Sequence, residues 1–144
     1  DYMKRSYDGH GGMTYTAERG GLGTVALGAA GACVLINLGD QSESFQKMIT
    51  ACCKRMMREA LPGRGGGGRR GGFYFYTTFY ATQALHYRGG KDWEIWYKNL
   101  RDALRKTQAK NGSWQGSSYG NAFQTAFMSF CLQVPKEMLP ILER

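Results

Sequence analysis

Residues able to do acid–base, nucleophilic or metal chemistry are few and scattered in this chain. His10 stands in Asp8-Gly-His-Gly-Gly12, a polar glycine-rich opening with no identifiable catalytic partner, and reads as a loop histidine. His86, near the end of an expected helix, reads as a partner of the helix dipole. Cys33, Cys52, Cys53 and Cys131 lack Cys-x-x-Cys spacing and fall on apolar helical positions, where free cysteine behaves as a small buried hydrophobe. No Ser-His-Asp or Cys-His set stands out, so neither a metal nor a cofactor is expected. Aromatic density is the one constellation left. Phe73-Tyr-Phe-Tyr-Thr-Thr-Phe-Tyr80 packs six rings into eight residues and can line an apolar cavity or simply fill a core.

The other conspicuous stretch is Gly-Arg-Gly-Gly-Gly-Gly-Arg-Arg-Gly-Gly over 63–72. Arginine–glycine segments can grip phosphate or nucleic acid. This one lacks the Lys-Ser/Thr ending of a P-loop and follows a helix rather than a strand. A flexible inter-helix loop over 62–72 is the better account. The formal charge of +8 follows from 19 Lys+Arg against 11 Asp+Glu. Much of that excess sits on helix faces, so it reads as a solvated basic surface, against a nucleic-acid partner and compatible with a membrane surface. The run 20–39 carries no charge, but its glycines and Asn37 make it too weakly apolar for a membrane span.

These residues must be positioned by helices. The chain, 144 residues with 42% hydrophobic content, is long enough for one core. Its periodicity predicts helices over 24–38, 42–61, 73–87, 91–110 and 118–133, and no convincing strand. The first, third and fifth lack charge over most of their length. The second and fourth are striped: Phe45, Met48, Ile49, Cys52, Cys53, Met56 and Met57 mark one apolar face, and Trp93, Trp96, Tyr97, Leu100, Ala103 and Leu104 the other. Alternation of this kind predicts a double layer, with charge-free helices inside and striped helices wrapped around them. An up-down bundle would make all helices similarly amphipathic. Leu22, Tyr76 and Tyr119 open the three inner helices, which gives the chain a quasi-repeat character.

Residues 104–114 read Leu-Arg-Lys-Thr-Gln-Ala-Lys-Asn-Gly-Ser-Trp, the pattern L-x3-Q-x3-G-x-W, with Arg101 one turn upstream. Gln108 can turn its amide toward unpaired backbone groups where two helices meet, Gly112 supplies a tight turn, and Trp114 can pack over the glutamine. Arg101, Leu104, Gln108, Gly112 and Trp114 resemble the QW repeat of the terpenoid cyclase and protein prenyltransferase superfamily. The stretch 73–85 and Tyr119-Gly-Asn-Ala-Phe123 resemble inner-helix openings of squalene–hopene-type cyclases. The ending Leu132-Gln-Val-Pro-Lys-Glu-Met-Leu-Pro-Ile-Leu142 is similar to the tail of bacterial prenyltransferase and squalene oxidase repeat proteins.

The resemblance implies an all-α partial α/α toroid over 24–144, built from helical hairpins behind a glycine-rich polar lead-in over 1–23. It implies that Tyr76, Phe79, Tyr80, Tyr119 and Phe123 face a lumen, where such aromatics bind an apolar ligand and stabilise cations through their ring faces. The catalytic parts do not carry over. No Asp-x-Asp-Asp acid motif and no Asp-Asp-x-x-Asp diphosphate motif is present, and Thr77 stands where a zinc-binding histidine would be. A complete toroid needs on the order of 200 residues or more. The chain is therefore expected to be the C-terminal part of a larger ring, or a shortened relative that covers its open edge by association. Either leaves its first and fifth helices without ring neighbours and prone to self-association or docking to the rest of the ring. The expected function is binding of a long apolar isoprenoid-like ligand, with catalysis unsupported by these residues. The alternatives are a non-catalytic interaction module on a toroid scaffold and, more weakly, an RNA binder using the Gly/Arg loop.

Overall fold

The computed structural model describes residues 2–18, 21–64, 73–115 and 120–136. Among these every regular element is helical: α1 (Tyr2–Ser6), α2 (Val25–Leu38), α3 (Glu43–Glu59), α4 (Tyr74–Arg88), α5 (Gly90–Thr107) and α6 (Asn121–Gln133), with a final 3-10 turn, Val134–Lys136. The protein is all-α, and the five longer helices coincide with the five expected from periodicity.

Sequence sets the ends of these helices. Thr24 caps α2, its Oγ1 accepting the Leu27 N–H at 3.1 Å. Ser42 precedes α3 without a side-chain cap; its own N–H donates to Asp40 Oδ1 at 2.7 Å. Between α4 and α5, Gly89 and Gly90 both take positive φ (70° and 72°), so the chain reverses with no connecting loop.

Helix α4 is the centre of the molecule and touches α2, α3, α5 and α6. Helices α2, α4 and α6 form a row. Cys33 Sγ of α2 donates to the Tyr80 carbonyl at 3.1 Å, and Phe79 of α4 packs on Phe127 and Phe130 of α6. The first turns of α2 and α4 share one pocket, and Tyr97 of α5, which runs back along α4, bonds Leu132 near the end of α6, so the three run parallel. Helices α3 and α5 lie antiparallel against the row. Phe75 in the first turn of α4 shares a core with Leu100 and Leu104 of α5, and the Trp96 indole donates to Thr82 Oγ1 at 3.0 Å. The charge pattern explains the arrangement. From Tyr74 to Tyr87 no residue of α4 is fully exposed, whereas α3 and α5 keep their lysines and arginines, Arg55 excepted, in water.

Two clusters form the core. One joins Met13, Ala29, Leu35, Cys52, Met56, Leu85 and Trp96; the other joins Phe75, Leu100, Leu104, Trp114, Met128 and Cys131. Burying a side chain such as Leu100 contributes about 1.5–3 kcal/mol.

The segment before α2 is more than a polar lead-in. Met13 is 3% exposed, and its backbone bridges both Tyr7 and Thr24. A Cβ on Gly28 would come within 2.5 Å of Gly11 O, and one on Gly31 within 2.8 Å of the Met13 side chain. Gly31 and Cys33 point about 200° apart around α2. The segment therefore lies on the side of α2 turned away from α4, and it corrects the expectation that this flank stays uncovered. Val34 and Leu38, farther along α2, remain exposed.

Candidate functional site

Where α2 and α4 begin and α3 ends, the structure forms a half-open cavity of about 830 Å3. Its wall comes from four places: Met13 to Thr16 with Leu22, the first turn of α2, Glu59 and Ala60 of the α3 end, and Phe73 to Thr78 of α4. Hydroxyl groups in this wall are tied to backbone. Thr77 Oγ1 donates to the Phe73 carbonyl at 2.8 Å, Thr14 Oγ1 to Thr16 O at 2.9 Å, and Thr24 serves as the α2 cap. Back-bonding of this kind lets threonine sit in apolar surroundings with its donor satisfied. Tyr76 lies against Tyr80, ring centroids 4.7 Å apart. Burial pushes its phenol above the ordinary value, and the neighbouring Tyr80, Cys33 and Tyr15 push it the same way. It is a neutral hydrogen-bonding group across the physiological range.

One charged side chain, Glu59, reaches the described wall. Partial burial raises its pKa, but hydrogen bonds from Arg58 (2.6 Å) and Arg55 (3.0 Å) outweigh that and hold it below the usual carboxylate range. An ionised, doubly bonded carboxylate cannot donate a proton to a polyene at neutral pH. Arg55 also meets Asp8 Oδ2 at 3.0 Å. The Asp8 side chain is fully buried and accepts the backbone N–H groups of His10, Gly12 and Gly23 at 2.7–3.0 Å. Burial alone would raise the Asp8 pKa; these donors and Arg55 together lower it. Thus Asp8 clamps the backbone that forms one wall of the cavity, and ties it to α3.

The five aromatic residues expected to face a lumen separate. Tyr76 lines the cavity and Tyr80 supports it from behind. Phe79 belongs to a different stack, within 5 Å of Phe127 and Phe130, and Phe123 continues that stack onto Phe127 at 4.5 Å. Tyr119 lies outside the described residues.

The QW-like residues close a local knot. Trp114 is buried; its indole N–H donates to Leu104 O at 3.0 Å, and its backbone N–H to Thr125 Oγ1 of α6 at 3.2 Å. Gln108 is exposed, and its amide donates to Gly112 O at 2.9 Å, closing the turn that follows α5. Arg101 lies over the Tyr97 ring at 5.2 Å, and the Tyr97 hydroxyl donates to Leu132 O at 3.0 Å, tying α5 to the end of α6.

All four cysteines are buried and free. Desolvation pushes Cys33, Cys52 and Cys131 up to about 12, so they are inert thiols. Among the described residues no group of three His, Cys, Asp or Glu could hold a metal ion, and no helix is long and apolar enough to cross a membrane. His10 supplies its backbone N–H to Asp8 while its side chain is exposed; the ring of His86 packs 4.9 Å from that of Trp93. Of the Gly/Arg loop, Gly63 and Arg64 are described and 65–72 lie outside the described residues.

Sequence reasoning missed two features. The Asp8 clamp was legible as an aspartate followed by four residues of which three are glycine, the composition of a side-chain-closed turn. Gln124 is the other: it is fully buried on α6, and neither atom of its amide has a hydrogen-bond partner. No sequence signal marks it. Comparison with protein families, with curated proteins and with solved structures finds no match for the chain.

Proposed function

We propose that this chain is a helical-repeat segment of the α/α-toroid kind, resembling squalene–hopene-type cyclases, that holds an elongated apolar ligand of the isoprenoid class without transforming it. The observation that carries the reading is the cavity of about 830 Å3, within the range of about 300–1,000 Å3 usual for small-molecule sites. Its described wall is apolar apart from threonines, the tyrosines Tyr15, Tyr74 and Tyr76 and an ionised Glu59. Such a site takes a hydrocarbon chain by burial and orients one hydroxyl-bearing end by hydrogen bonding. Binding without turnover is supported by the state of Glu59, which lacks a proton to give, and by the absence of an Asp-rich motif from the sequence.

The test is titration with farnesol and with squalene, followed by native mass spectrometry and product analysis. Expected are a saturable one-to-one complex and unchanged ligand on recovery. Ala60→Phe, which fills the cavity from the α3 end, should weaken binding about tenfold while unfolding stays cooperative. Recovery of a cyclised or prenyl-transferred product would refute binding without turnover. A second reading, an interaction module using the same scaffold, is favoured by one observation: the outer face of α6 (Ala122, Phe123, Ala126) is exposed.

A further inference from the structure

Large hydrophobic side chains left in water are not spread evenly over this molecule. Among the described residues Tyr15 (85% exposed), Leu22 (86%) and Phe73 (72%) are the three most exposed, and all three line the cavity. A single exposed leucine carries no message; three extended apolar side chains around one opening do. They come from different places in the chain: two from the clamped segment before α2, one from the residue preceding α4. Neither amphipathicity of one helix nor one floppy turn accounts for them together.

The same end of the molecule is basic. The final turns of α5 reach it, because Phe75, two residues beyond Phe73, packs against Leu104. Arg101, Arg105, Lys106 and Lys110 are exposed there. Arg58 and Arg64 bracket the α3 end of the cavity, and Arg58 is 70% exposed. Acidic groups nearby are Asp8 and Glu59, both spent on arginines, Asp102, which pairs with Lys98, and the exposed Glu18. Apolar tips surrounded by Arg and Lys match a bilayer surface carrying anionic headgroups, into which side chains insert while cations stay at headgroup level.

We infer that this end of the protein docks on an anionic lipid surface, with Tyr15, Leu22 and Phe73 inserted at the acyl boundary and the cavity opening toward the membrane. An apolar molecule could then pass from bilayer to cavity without crossing water. Docking does not depend on which ligand the cavity takes, so it can be tested on the ligand-free chain.

The experiment is flotation of the full chain with vesicles of phosphatidylcholine alone and of phosphatidylcholine mixed with phosphatidylglycerol. Binding to the mixed vesicles is expected, weakening as salt shortens the reach of the charges. Replacing Tyr15, Leu22 and Phe73 together by Ser should weaken it about tenfold or more. These side chains are exposed, so the variant keeps its cooperative unfolding. Arg105→Gln and Lys106→Gln should each cost about fivefold. Val34→Ser with Leu38→Ser, exposed but away from the cavity, should change nothing. A Tyr15→Trp variant should gain extra quenching from brominated lipid, which an electrostatic adsorption alone would not give. Equal binding by the triple-serine variant would overturn the inference. So would a ligand-free dimer, indifferent to vesicles, that this variant abolishes, because the rim would then be covered by a second copy.

Discussion

The two ends of the α2–α4–α6 row are finished differently. At the α2 end, irregular backbone from residues 7–18 and 21–24 packs on the helix. It lies so close that Gly28 meets the Gly11 carbonyl, and it is clamped by a buried Asp8. At the α6 end, Ala122, Phe123 and Ala126 face water among the described residues. Both helices lack charge, so composition alone does not separate them. Glycine does: α2 carries Gly28 and Gly31 on its outer side, which admits a backbone, while the outer side of α6 carries alanines and a phenylalanine. A charge-free helix can be covered by close backbone contact or left to a partner, and this chain uses the first solution at one end only.

The sharpest way to break the covered end is to deny it that close approach. A side chain on Gly11 would require positive φ (85°) and would drive its Cβ to 2.4 Å from the Ala51 carbonyl. Gly11→Val should cost on the order of 3 kcal/mol in urea unfolding, through backbone strain and overpacking together. Loss of less than about 1 kcal/mol would mean that the segment is not held against α3.

Next in size is the clamp. Asp8→Asn keeps the shape, weakens three charge-assisted hydrogen bonds and leaves Arg55 with Glu59 alone, so a loss of about 2 kcal/mol is expected at neutral pH. The direction of pH dependence follows from the lowered folded-state pKa of Asp8. Its contribution is complete above the unfolded value of about 3.9 and is lost as pH falls through the lower folded value. Stability measured on descending from pH 5 should therefore fall less steeply in Asp8→Asn than in the parent. Equal slopes would show that the carboxylate does not hold the segment.

The α6 side of the core offers a change of opposite sign. Gln124 is enclosed with no partner for its amide, which costs about 1–3 kcal/mol relative to a satisfied or apolar group. Gln124→Met, similar in volume, should stabilise the chain by about 1 kcal/mol in the same urea assay. A destabilisation would mean that water or a ligand atom pairs with this amide in solution.

What could be read in advance divides along physical lines. Helix positions were legible, because apolar residues recur at helical spacing in all five segments. Burial on all sides, expected of the charge-free ones, holds for α4 but not for α6, where Gln124, Met128 and Cys131 alone are buried. Gln108 was expected to turn its amide toward backbone groups where two helices meet, and between α5 and α6 it bonds Gly112 O. The cavity wall was legible only at Tyr76. Its other parts come from residues 13–16, Leu22, Thr24 and the α3 end, brought together by a clamp that joins positions 47 residues apart. Periodicity reports which face of a helix is apolar. It cannot report that an irregular glycine-rich stretch will lie across that face, because what fixes it there is long-range: the Asp8 carboxylate with the Gly23 amide and Arg55.

The smallest effect on folding is expected at the open end. Ala126 is exposed on α6, at a good helix position, so Ala126→Glu should leave the unfolding free energy within about 0.5 kcal/mol. That is the contrast with Gly11, where one added side chain meets backbone. The same glutamate bears on association, since with Ala122 and Phe123 this face offers contact area but no charge. If the apolar α6 flank draws chains together, light scattering at micromolar concentration should show the parent heavier than a monomer and Ala126→Glu shifted toward monomer. A charge buried in such a contact would be unpaired and strongly disfavoured. A parent already monomeric, or an oligomer indifferent to the glutamate, would show that the α6 flank is complete as it stands. The difference between the two ends would then lie in how each helix is covered within one chain, not in whether it needs a partner.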